Sequence, residues 1–71
     1  MDRQLVLERM AQAERHVAEG HKIIQRQRHI IADLERDGHD ATQAHALLNA
    51  FLETQTAHEE GLVRIRQELA E

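Results

Sequence analysis

From Val6 onward the chain sets Val6, Met10, Ala13, Val17, Gly20, Ile24, Gln27, Ile31 and Leu34 at alternating steps of four and three. That spacing keeps one stripe of an α-helix facing a partner helix, which is the pattern of a coiled-coil seam. A second series, Ala41, Ala44, Leu48, Phe51, Gln55, His58, Leu62, Ile65 and Leu69, repeats it. Between the seam positions lie mostly Glu, Gln, Arg and Ala, which are good helix formers. The chain therefore reads as two long amphipathic helices.

The two series are interrupted at one place, Glu35-Arg36-Asp37-Gly38-His39-Asp40. Gly38 can take the left-handed conformation that closes a helix, and Arg36 in the last turn suits the carbonyl end of the helix dipole. Asp40 is expected to cap the second helix, with Gln43 three residues later completing a capping box. The pattern predicts one all-α unit over residues 1–71, with helix 1 from about residue 3 to 36, a turn at 37–40 and helix 2 from about 41 to 69. A turn between Asp37 and Gly38 sets every seam residue of helix 1 opposite one of helix 2. Leu34 then meets Ala41, Ile31 meets Ala44, Gln27 meets Leu48, Ile24 meets Phe51, Val17 meets His58 and Ala13 meets Leu62. Large residues face small ones in several layers, as a packed antiparallel hairpin requires. Gly20 opposite Gln55 predicts a tighter, polar waist midway along the hairpin, with Gln27, Gln55 and His58 as polar seam residues that select register.

Some apolar positions lie outside this seam. Ile23 and Ile30 precede seam residues of helix 1, Leu47 does so in helix 2, and Leu7 and Leu52 flank the seam on its other side. Two helices bury one narrow stripe each, so the widened faces call for a further surface. A second copy completing a four-helix bundle is the simplest source. The expected assembly is thus a homodimer with Ile23, Ile30, Leu47, Leu52 and Leu7 as its interface.

Composition narrows the chemistry. There is no Cys, Ser, Tyr, Trp or Pro, so thiolate and serine nucleophiles are excluded, disulfides cannot staple the fold, and nothing interrupts long helices. The six histidines include no pair spaced three or four apart, and none has Glu three residues before it, so the helical metal motifs are missing. Only a cross-helix cluster of His16, His58 and Glu59 is conceivable, and no catalytic residue, metal or cofactor is expected. A net charge of −4 argues against a phosphate-tracking surface. The stretch Lys22, Arg26, Arg28, His29 and Arg36 nevertheless keeps a small RNA-binding hairpin dimer, using the Lys22/Arg26/Arg28 face, as the rival to a protein interaction or regulatory module. His58 on the seam admits a second reading as a pH-sensitive group beside its role in register. No apolar run is long enough to span a bilayer, and a cytoplasmic location is expected.

The turn also carries a likeness. Leu34-Glu35-Arg36-Asp37-Gly38-His39-Asp40, with Glu19-Gly20 and Ile24-Gln25-Arg26-Gln27-Arg28 before it and Ala44, Leu47-Leu48, Phe51, Glu53, Gln55 and His58 after it, resembles a group of short uncharacterised bacterial proteins sharing an LER-x-GHD turn. Ala41 stands where that group often has Thr. The resemblance spans roughly residues 17 to 66 and implies a helical hairpin; it implies no activity.

Overall fold

Gly38 decides where the chain reverses. A computed structural model describes residues 2–71, and in it Gly38 has φ +75° and is the described residue with positive φ. Its amide donates to the Glu35 carbonyl at 3.2 Å while the His39 amide donates to the Leu34 carbonyl at 2.8 Å. Together these two bonds satisfy the last free carbonyls of the helix in a Schellman arrangement, which needs a left-handed residue at that one position. Alanine there would meet nothing within 4 Å, so its cost is conformational alone. Gly38→Ala should lower stability by about 1 kcal/mol, measured as a shift in denaturation midpoint with unchanged slope. An unshifted midpoint would mean that another turn forms as readily.

Helix α1 runs Arg3–Arg36 and α2 runs Thr42–Ala70, within one residue of the boundaries read from the pattern. Asp2 caps α1 by accepting from the Gln4 amide at 2.9 Å. At the start of α2 the capping box expected from Asp40 and Gln43 is not the one formed. Ala41, at φ −104° and ψ 12°, occupies the cap position, which places Asp40 one residue outside the helix and Gln43 one residue too early to bond back. Asp40 instead accepts from the Thr42 hydroxyl at 2.6 Å and from the Thr42 amide at 2.9 Å. Those two bonds, the hydroxyl's first, hold its carboxyl below the ordinary carboxylate range. The stabilisation this carries is complete above the ordinary value of 3.8 and fades as pH falls through the lowered one.

The helices pack antiparallel along a body of 54 × 14 × 13 Å. Every predicted seam residue of both helices is buried or half-buried. Val6, Ile24, Ile31, Ala41, Leu48 and Leu62 form the buried apolar set, and none of their side chains is sealed from solvent completely. The buried cluster lies in the turn half, where Ile24, Ile31, Ala41 and Leu48 group under Leu34, Ala44, Phe51 and Leu52. Burial of Gln27 and Gln55 has a clear basis. The Gln27 amide nitrogen donates to the Ala44 carbonyl and that of Gln55 to the Val17 carbonyl, each at 2.9 Å. A helical carbonyl already bonded within its helix has a second lone pair to offer, so each glutamine ties its helix to the other without breaking a turn. No helix among the described residues is long and apolar enough to cross a membrane.

Candidate functional site: the waist and the apolar flank

The hairpin has two long flanks, and they differ in chemistry. On one, three pairs reach from helix to helix: Glu35 with His45 at 3.3 Å, His21 with Glu59 at 4.0 Å and Glu14 with Arg66 at 3.9 Å. Leu7 and Leu52 share this flank and are half-buried by the hairpin itself, Leu52 against the core cluster. Its members all follow seam positions, so the polar pattern places them together on both helices.

The opposite flank carries a series of residues, seven apart, that each precede a seam position. In α1 these are Arg9, His16, Ile23 and Ile30; in α2 they are Leu47, Thr54, Gly61 and Glu68. Arg9 and Glu68 meet at 3.7 Å near the open end, and toward the turn the flank is aliphatic. Ile23 is 39% exposed, Ile30 42% and Leu47 46%, high values for side chains of this size grouped on one face. The predicted interface residues thus divide between flanks: Ile23, Ile30 and Leu47 form an outward apolar surface, whereas Leu7 and Leu52 help close the hairpin on the other side.

Midway along the apolar flank the waist combines a tight contact with a hollow. Gly20 touches the Gln55 amide so closely that a Cβ on Gly20 would lie 2.7 Å from Gln55 Cδ. Beside this contact opens a groove of about 240 Å³ whose walls include His16, Ile23, Phe51 and Thr54. The waist is therefore tight only at the seam, because Gly20 has no side chain to fill its outer edge. His58 stacks on His16 with ring centroids 5.2 Å apart. Two buried atoms here have no hydrogen-bond partner, Gln55 Oε1 and His58 Nδ1. Neither the groove nor these atoms follow from seam spacing; the small Gly20 opposite a long Gln55 is the trace they leave in the sequence. Glu59 turns to His21 on the charged flank, away from His16 and His58, and the described residues hold no cluster of three His, Asp or Glu side chains fit for a metal ion.

An unpartnered amide oxygen in a buried seam is a cost that leucine would remove. Gln55→Leu also loses the bond to Val17, worth about 1 kcal/mol, while relieving a desolvation penalty of about 1–3 kcal/mol. The variant should match or exceed wild-type stability by up to about 1 kcal/mol in urea unfolding. Marked destabilisation would mean that Oε1 has a partner in solution.

The basic stretch does not form a continuous patch. Lys22 lies 3.8 Å from Glu19, and Arg36 contacts Asp33 at 3.1 Å and Asp37 at 3.2 Å. Lys22, Arg26 and Arg28 are all exposed, but Arg28 lies off the line joining the other two because residues two apart point to different sides of a helix.

Fold and site define an antiparallel α-hairpin with one flank of cross-helix polar pairs and one flank that is apolar toward the turn. No protein-family model, curated protein or solved structure matches the chain.

Proposed function

We propose that this protein is a non-catalytic, self-associating interaction module in which two hairpins join through their apolar flanks into a four-helix bundle. The observation that carries the reading is the contrast between flanks. Cross-helix polar pairs, Glu35 with His45, His21 with Glu59 and Glu14 with Arg66, finish one flank for water, whereas Ile23, Ile30 and Leu47 stand 39–46% exposed together on the other.

Surface area supports the same reading. The chain exposes 5410 Å². A compact monomer of 8.2 kDa would expose about 4,500 Å². The excess of roughly 900 Å² is close to the 800 Å² or so that each partner contributes to a standard interface. A core without a fully sealed side chain also has the most to gain from a second layer, since small folds without staples depend on association.

Sedimentation velocity from 1 to 100 μM, a range spanning the dissociation constants of common dimers (about −8 kcal/mol at 1 μM), tests the reading. A species of twice the 8.2 kDa chain mass is expected. A single 8.2 kDa species across that range would overturn it.

A further inference from the structure

We infer that the second copy lies with its turn at the same end as the first, so that α1 of each chain packs on α2 of the other around a two-fold axis parallel to the hairpin. This rests on the proposed self-association and concerns only how the two copies are arranged.

The basis is the order of layers along the apolar flank. Each layer holds one residue from α1 and one from α2: Ile30 beside Leu47 nearest the turn, then Ile23 beside Thr54, then His16 beside Gly61, and finally Arg9 beside Glu68. Successive layers are seven residues apart, about 10 Å along the axis. A two-fold axis along the hairpin brings every layer onto its own copy with the two helices exchanged. Ile30 then meets Leu47 of the partner subunit, Ile23 meets the smaller Thr54 of the partner subunit, and His16 meets Gly61 of the partner subunit. At the open end Arg9 faces Glu68 of the partner subunit, so four charges alternate in sign around a square. Each layer is complementary to itself, which an isologous interface demands.

The reversed arrangement fails this requirement. With the hairpins fully overlapped and their turns at opposite ends, the layer of Ile30 and Leu47 would face the layer of Arg9 and Glu68. That would cover exposed aliphatic side chains with charged ones and strip water from an ion pair that gains little in return. Sliding the chains until the aliphatic ends match leaves both open ends uncovered. Both arrangements set the two waist grooves opposite each other, so the end layers make the choice.

Because the chain has no cysteine, single introduced thiols report the arrangement cleanly. Ile30→Cys and Leu47→Cys chains are prepared separately, mixed under reducing conditions and then oxidised with a glutathione buffer, since a disulfide forms only where Cα atoms approach within about 7 Å. The mixed Ile30–Leu47 product is expected to exceed either homodimer at least tenfold. Mixing Ile30→Cys with Arg9→Cys provides the counter-test, because those positions approach only if the turns lie at opposite ends. Preferential Ile30–Arg9 linkage, or an Ile30–Leu47 yield no higher than random pairing while sedimentation still finds a dimer, would overturn the arrangement and leave self-association standing. A monomer by sedimentation for the wild-type chain overturns both.

Discussion

Truncating Leu48 to alanine should lower the hairpin's own stability by about 2–3 kcal/mol at 25 °C, whereas the same change at Leu47, one residue away, should leave it within about 0.5 kcal/mol of wild type. Leu48 is 8% exposed and belongs to the cluster with Ile24, Ile31 and Ala41; Leu47 is 46% exposed. A buried Leu→Ala change costs about 2–5 kcal/mol, from lost transfer energy and the cavity left behind. A core of this size supplies only about 3–5 kcal/mol, so the loss removes most of the margin. The narrow body lets water reach the vacated site, which favours the lower half of that range. Circular dichroism with urea titration, run below the dissociation concentration, measures both variants. Equal effects at the two positions would mean that the seam is displaced by one residue from the one described. Above that concentration Leu47→Ala should become destabilising, because its partner layer would then be lost.

Replacing Ile23 and Ile30 together with lysine should dissociate the assembly while leaving part of the helix content. The two isoleucines supply the α1 side of the aliphatic layers, and the two-fold axis doubles each change, so four ammonium groups would enter a surface otherwise closed to water. Burying even one unpaired charge is costly enough that side chains relocate instead. The dissociation constant should rise at least 100-fold, equivalent to about 3 kcal/mol. Sedimentation at 10 μM, a concentration corresponding to about −7 kcal/mol of binding, should then find single chains. An unchanged mass would place the interface elsewhere, with the ion-paired flank the next surface to test. The double variant leaves Ile24, Ile31 and Leu48 in place, so residual ellipticity after dissociation reads the hairpin's stability alone.

Much of the architecture was legible because it depends on a period and a loop length. The three-and-four spacing names the buried stripe of each helix without reference to the other, and a turn closed at Gly38 leaves one register in which both stripes coincide. Glycine at φ +75° is likewise a local requirement visible in the sequence. The expected capping box of Asp40 and Gln43 does not form, because whether Asp40 or Ala41 takes the cap position depends on how the turn delivers the chain into α2.

By itself, then, the sequence determined two helices, their boundaries to within a residue, the residues facing inward and the meeting of Gly20 with Gln55 at the waist, all consequences of backbone geometry repeated many times. Tertiary structure decided what depends on individual side-chain atoms meeting across the seam. It placed the donor groups of Gln27 and Gln55 on carbonyls of the opposite helix, left Gln55 Oε1 and His58 Nδ1 without partners, and opened a groove beside Gly20. It also gathered three of the four cross-helix polar pairs on one flank and left Ile23, Ile30 and Leu47 exposed on the other, because an antiparallel pairing brings residues preceding the seam on both helices to the same side.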